Sequence, residues 1–183
     1  MTVEIPKHSS NKYEYNLANN SWELDRVLSG AMFYPEEYGS VSDTLDYDGD
    51  PLDIICITEK PTFPGCRIPV RIVGVLKMID GNEKDDKLLV VNDVDPRLKN
   101  INDLKDVPKA KLDEINHFFS HYKDLEKKKV IIQGFYDKKA AEKVLEDCQS
   151  LYKKYRHLIE KKFDKKELVK ILSKDKEDYK KDE

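Results

Sequence analysis

Short runs rich in Val, Ile, Leu and aromatic residues, each cut off by Pro, Gly, Asn or Asp, fill the first 95 residues, and no helical stripe appears before Pro108. That division restricts the chain to a strand-built first half with helices added behind it. Val3-Glu4-Ile5 is short and extended, and Lys12-Tyr13-Glu14-Tyr15 alternates polar with aromatic side chains. Asn19-Asn20 then turns the chain into Trp22-Glu23-Leu24, a hairpin pattern. Further strands are expected over Leu52–Thr58, Ile68–Leu76 and Leu88–Val91, separated by turn pairs such as Pro64-Gly65 and Asp80-Gly81. Many short strands with regular turns predict a mainly β fold built on a closed or nearly closed barrel.

The helices come late. Pro108 suits a first helical position, and Leu112, Ile115, Phe118, Phe119, Tyr122 and Leu125 recur at three- and four-residue spacing behind it. Val130-Ile131-Ile132 reads as a last strand. A second helix starts near Ala140 with Val144, Leu145, Cys148, Leu151, Tyr152, Tyr155 and Leu158 as its apolar stripe. Asp164 followed by Glu167 makes a capping box for a short third helix. Residues 151–183 carry twelve basic and eight acidic side chains, and the last ten or so are expected to fray.

The bulk numbers exclude several classes. With 39% hydrophobic and 9% aromatic residues the chain can build a core, and a net charge of −3 gives no general pull towards nucleic acid or anionic lipid. Met1–Pro6 is not a secretory leader, and no apolar run is long enough to span a bilayer. Cys56, Cys66 and Cys148 are odd in number and lack metal-type spacing, so free thiols in a reducing compartment, the cytoplasm, are expected.

The charge is unevenly placed. Between Arg26 and Lys60 lie 33 residues without Lys or Arg, where the chain average would put about six, and the same stretch holds eight acids. Carboxylates at that density repel one another, and some take up protons unless cations sit between them. The available donors are hard oxygens with no nearby His, which selects Mg²⁺, Mn²⁺ or Ca²⁺ over zinc or copper. The densest part is Asp48-Gly49-Asp50-Pro51-Leu52-Asp53, where Gly49 allows a tight turn and Pro51 blocks a helix, so three carboxylates fan out at a strand entrance. A second acidic turn, Asp80 to Lys87, is a weaker signal of the same kind.

Asp48-Gly49-Asp50-Pro51-Leu52-Asp53-Ile54 resembles the signature of the soluble inorganic pyrophosphatases of the OB-barrel type, Asp-x-Asp-Pro-x-Asp followed by an apolar residue. Other blocks look like that family's in the same order, among them Val3-Glu4-Ile5-Pro6, Leu24-Asp25-Arg26, Ala31–Pro35, Gly74–Asp80, Asp85-Asp86-Lys87 and His117–Leu125, so the resemblance covers about residues 3–148. It implies an OB-like barrel domain over 1–150 with flanking helices, a lysine-rich helical extension over 151–183, and hydrolysis of pyrophosphate with Mg²⁺ as cofactor. It further implies Asp48, Asp53, Asp80 and Asp85 as metal ligands and Asp50 as the base that takes a proton from the attacking water. Lys12, Arg26, Lys87, Lys123, Tyr38 and Tyr122 would grip the phosphates, with Glu4, Glu14 and Tyr34 as outer members of the pocket. Bacterial members of the family are commonly hexamers, so a homohexamer is the implied assembly.

There are departures from the family pattern. More chain usually precedes the Val-Glu-Ile-Pro block, so the edge it covers is expected to be barer here. Gly81-Asn82 stands where an acid followed by Gly is common, and Asn92 replaces a frequent Pro. Because the catalytic blocks all lie before Asp124, removal of the chain beyond about Tyr155 is expected to leave phosphate release largely unchanged.

The chemistry suits these residue types. Pyrophosphate is a multiply charged anion that water attacks poorly, and its cleavage is chiefly a matter of positioning and charge stabilisation. Arg26 offers a planar fork for two oxygens, whereas lysines act as mobile point charges. Two other classes fail. Asp46, Asp48 and Asp50 match positions 1, 3 and 5 of an EF-hand loop, but Pro51 and Ile57 occupy positions 6 and 12. An OB-fold nucleic-acid binder needs a basic, aromatic-studded face, and residues 27–59 are the opposite. His117 and His121 share a helix face but lack a third ligand, so they read as structural or interface residues.

Overall fold

The computed structural model describes residues 1–16, 19–81, 83–161 and 164–179, with side chains to 175; Asn82 and the last four residues of the extension lie outside it. Among the described residues nine strands form: β1 (Thr2–Ile5), β2 (Asn11–Asn16), β3 (Ser21–Val27), β4 (Glu37–Ser40), β5 (Asp53–Ile57), β6 (Val70–Asp80), β7 (Glu83–Lys84), β8 (Lys87–Asn92) and β9 (Val130–Tyr136). Three α-helices follow or interrupt them, α1 (Lys109–His121), α2 (Lys138–Glu160) and α3 (Lys165–Tyr179). Seven strands make one mixed sheet in the order β1-β4-β5-β8-β6-β7 with β9 on the other side of β6, and β2-β3 stands apart as a hairpin.

The fold is sheet-dominated, as expected, but no continuous ladder among the described residues closes it as a barrel. The sheet nevertheless returns on itself. Residues 65–68, which lead straight into β6, hydrogen-bond to the free edge of β1: Val3 N–H donates to the Cys66 carbonyl at 2.9 Å, Gly65 N–H to Val3 at 2.8 Å and Ile68 N–H to Met1 at 3.1 Å. β1 is thus paired on both edges.

β5 and β8 run parallel, from Asp53 opposite Lys87 to Ile57 opposite Val91. Parallel neighbours are covered on both faces, which is why these strands read as unbroken apolar runs. Ile55, Ile57, Leu89 and Val91 point inward to a core completed by Ile115, Phe118 and Phe119 of α1. Ile54, Cys56, Leu88 and Val90 point the other way, against Ala141, Val144 and Cys148 of α2. A third cluster joins Leu45 to Leu151, Leu168 and Leu172, so α3 is packed onto the domain through apolar side chains.

β4 escapes sequence reading because Glu37-Tyr38-Gly39-Ser40 looks polar. It is buried, and it passes so close to β1 that a Cβ at Gly39 would lie 2.0 Å from the Thr2 carbonyl oxygen. Glu36 and Glu37, two acids of the lysine-free stretch, serve this packing rather than a ligand. Glu36 accepts from Lys7 at 3.0 Å, Lys111 at 2.6 Å and the Thr58 N–H at 3.1 Å, and Glu37 accepts from the Thr62 N–H at 2.5 Å. α1 ends before Leu125, which is 69% exposed instead of continuing the stripe, because a 3-10 turn closed by Lys127 at φ +56° takes over. α2 starts two residues earlier than expected, capped by Asp137, whose side chain accepts from Ala140 N–H at 2.9 Å. Asp164 caps α3 as read from sequence, accepting from Glu167 N–H at 3.1 Å.

Candidate active site

Strand register gathers the acidic and basic groups at one rim. Asp53 and Lys87 open β5 and β8 and are direct partners in the parallel pair, so their side chains leave the sheet on the same side. β6 runs antiparallel to β8 and continues four residues past the expected end at Leu76, which delivers Asp80 to the same rim. Lys87 is 1% exposed. Its ammonium donates to Asp53 Oδ2 at 2.7 Å, Asp85 Oδ1 at 2.7 Å and the Tyr38 hydroxyl at 3.1 Å. Lys123, just past α1, is paired with Asp80 in the same way.

An aromatic floor fixes the three phenols. Phe118 lies 4.7 Å from Tyr34 and 5.2 Å from Tyr122, ring centre to ring centre, while Tyr38 sits 5.3 Å from Tyr34. Burial pushes all three hydroxyls above their ordinary range, so they are neutral donors at neutral pH. Tyr38 donates to Asp53. The hairpin forms the opposite wall. Lys12 faces Arg26 in its register, and Glu14, two residues on, shares the face of Lys12 and meets it at 2.6 Å.

The Asp48–Asp53 loop is the third wall. Gly49 takes φ +85°, and Asp50 N–H donates to Asp48 Oδ1 at 2.9 Å, so the tight turn inferred from the sequence is formed. Burial, joined by the neighbouring charges of Asp50, Asp46 and Asp53, pushes Asp48 up to about 7. Glu4 is likewise pushed to about 7, chiefly by burial, although Ser40 donates to it at 2.5 Å. Burial also raises Asp85, with Asp53 and Asp80 adding to the shift and Lys87 opposing it. Burial pulls Lys87 the other way, but Asp53 and Asp85 outweigh it and hold the ammonium charged.

All fourteen residues singled out in the sequence line one cavity of about 520 Å³. Tyr15, Ser40, Pro51 and Lys165 line it too and were not anticipated. Ser40 could have been found from Tyr38, two residues before it, but nothing in the sequence brings Lys165, on α3, to this place. Its Nζ lies 2.5 Å from Asp50 Oδ2, so the extension reaches the pocket instead of standing apart from it. A second cavity of about 470 Å³, between α2 and Asp46-Tyr47, holds none of the fourteen.

The donor set fits hard divalent cations. It consists of oxygens only, its carboxylates are held close enough to raise one another's pKa, and lysine ammonium groups stand between them as cations. Among the described residues no three of these groups converge as a ready-made cage. The His117 and His121 rings lie 4.8 Å apart in a tilted contact, and His121 meets Asp124 at 2.9 Å, a pairing at the surface rather than in the pocket.

A family model described as "Inorganic pyrophosphatase" matches residues 1–153. An inorganic pyrophosphatase of Halalkalibacterium halodurans is 52% identical over 151 residues, 82% of this chain and 93% of that protein. One from Malacoplasma penetrans is 44% identical over 175 residues, 96% of this chain and 94% of that protein. The crystal structure of the Thermus thermophilus inorganic pyrophosphatase superposes with a TM-score of 0.81 at 44% identity, covering 84% of this chain and 90% of that one. With matches of this extent, the chain belongs to the inorganic pyrophosphatase family.

Proposed function

We infer that the chain hydrolyses pyrophosphate to two phosphates in this pocket. The convergence of Asp53, Asp80, Asp85 and Lys87 on one rim, facing Lys12 and Arg26 across the cavity, carries the assignment. Neither a calcium-binding loop nor an OB-fold nucleic-acid binder needs cations and carboxylates interleaved in this way.

Asp50 takes the proton from the attacking water. It sits at the mouth of the pocket on a turn whose backbone is engaged by Asp48 and Asp46, so its position is set without its own carboxylate oxygens being consumed by the loop. Arg26 and Lys12 hold phosphate oxygens from the hairpin side, the first through its fork. Lys87, Lys123 and the hydroxyls of Tyr38 and Tyr122 hold them from the floor, while Tyr34, Glu4 and Glu14 orient these groups. Asp48, Asp53, Asp80 and Asp85 would hold Mg²⁺, which when bound lowers the pKa of water and offsets the charge of the phosphates. The curled sheet is taken to be the OB-type barrel of the family, and the enzyme to act in the cytoplasm as a homohexamer. Exposed Phe63 and Val94, each 66% accessible, supply apolar surface for such contacts. Among the described residues, no helix is long and apolar enough to cross a membrane.

Phosphate release from pyrophosphate with Mg²⁺ alone tests the assignment, followed by titration of Ca²⁺ at fixed Mg²⁺. Release is expected with Mg²⁺ and a fall as Ca²⁺ is added. Both ions accept oxygen donors, but Mg²⁺ keeps a tight octahedron at about 2.1 Å and Ca²⁺ spreads to 6–8 ligands at roughly 2.3–2.6 Å. Turnover as fast with Ca²⁺ would overturn the Mg²⁺-based mechanism, and no release with Mg²⁺ would overturn the hydrolase assignment. Sedimentation of the same preparation reads the assembly.

A further inference from the structure

We propose that Lys165, on the C-terminal helix α3, is an additional phosphate-contacting residue of this active site. The family model stops at residue 153, so the position lies outside the stretch which that model matches.

The pocket has a side that its own domain leaves without cations. Lys12 and Arg26 come from the hairpin, and Lys87 and Lys123 from the floor. The third wall belongs to the stretch between Arg26 and Lys60, which contains no basic residue. An anion bound in the cavity therefore meets positive side chains on two sides and the Asp48–Asp50 turn on the third. α3 supplies a basic side chain there, since the Lys165 ammonium is 2.5 Å from Asp50 and lines the cavity.

The helix is held where this requires. Leu168 and Leu172 are 4% and 0% exposed, packed with Leu45 and Leu151. Val169 rests against the turn itself, close enough that a Cβ at Gly49 would stand 3.1 Å from its Cγ2. Farther along, Lys154 and Asp175 tie α2 to α3 at 2.5 Å. The backbone of Lys165 is thus fixed, whereas its side chain is 58% exposed and its partner Asp50 54%. An exposed ion pair of this kind costs little to exchange, and a lysine stem lets the ammonium move from a carboxylate to a phosphate oxygen without displacing the helix. Lys87, held between Asp53 and Asp85, has no such freedom and meets the anion from a fixed position.

The proposal rests on the pyrophosphatase assignment for its substrate, so its test includes a measurement that needs no turnover. Binding of inorganic phosphate to the Mg²⁺-loaded full chain is measured by calorimetry for the wild type, Lys165→Ala and Lys165→Arg, beside steady-state hydrolysis of pyrophosphate. Lys165→Ala is expected to weaken phosphate binding and raise KM about three- to fivefold, with kcat within about twofold, and Lys165→Arg to restore both. Unchanged phosphate affinity in Lys165→Ala would overturn the proposal. So would tighter binding, which would make the lysine a competitor for the acidic wall rather than a ligand for the anion. A wild type that binds phosphate with the expected dependence on Lys165 but releases none from pyrophosphate would leave this contact standing and overturn the hydrolase assignment instead.

Discussion

Lys87 and Lys165 each place an ammonium beside carboxylates of the same pocket, and they differ in nearly everything else. Lys87 is buried at the start of a central strand, with Asp53, Asp85 and Tyr38 around it. Lys165 stands at the first turn of an outer helix with a single acidic partner at the surface. The first is a fixed cation, because withdrawing it leaves two partly buried carboxylates without their charge partner. The second is an adjustable one, whose pairing with Asp50 is weak enough to be traded for a substrate oxygen. A pocket for a highly charged anion needs both kinds, fixed charge to hold its shape and mobile charge to follow the ligand.

The sharpest way to break that contrast lies at Asp50, the partner of the mobile lysine. Asp50→Asn is expected to lower kcat by about a hundredfold to ten-thousandfold, the range general-base catalysis supplies, with the fold unchanged. Its side chain is 54% exposed and its ion pair with Lys165 is a surface contact, so stability has little to lose. Turnover within a few-fold of wild type would remove Asp50 from the role of base.

At Lys87 the expected effect falls on the fold as well. In metal-free protein, Lys87→Met is expected to cost about 3–5 kcal/mol in urea unfolding, the range for breaking a buried ion pair from one side. Adding Asp53→Asn to it should recover part of that loss, since one uncompensated carboxylate then remains instead of two. A Lys87→Met chain that unfolds with the wild type would show that the two lysines are alike after all.

How far the sequence discloses this arrangement depends on which force sets each part. β5 and β8 are legible because burial on both faces leaves an apolar run, and the Asp48–Asp53 turn is legible because only a tight turn brings three acids to a strand entrance. β4 is not, since Glu37 is buried through hydrogen bonds from the Thr62 segment that local pattern cannot reveal. The closure of the sheet through residues 65–68 is hidden for the same reason, being a pairing with β1 across more than sixty residues. The fourteen pocket residues were named from a family resemblance that carries three-dimensional information in its motifs. Lys165 lay beyond that resemblance, and its place follows only from Leu168 and Leu172 docking on Leu45 and Leu151.

The smallest effect sought is a pH dependence at Glu4, and it asks whether the pocket's strain resides in its acids as well as its lysines. Burial lifts the Glu4 carboxyl from 4.5 to about 7, with the Asp53 charge adding to it, while the hydrogen bond from Ser40 works the other way. An acid whose pKa is higher folded than unfolded binds its proton more tightly in the native state. Its contribution to stability is therefore complete below pH 4.5, declines as pH rises from there, and is gone above about 7. For a group this buried the difference across the window is of order 1–3 kcal/mol. Gln is nearly the same shape, keeps a carbonyl oxygen to accept from Ser40, and cannot ionise. Glu4→Gln should match the wild type near pH 4.5 and exceed it in urea resistance at pH 8, both measured without divalent ions. Some slope will persist in the variant, because Asp48 is shifted in the same direction to about 7. Curves that stay parallel from pH 4.5 to 8 would mean that Glu4 is solvated enough to ionise freely, and would confine the pocket's stored repulsion to the carboxylates that flank Lys87.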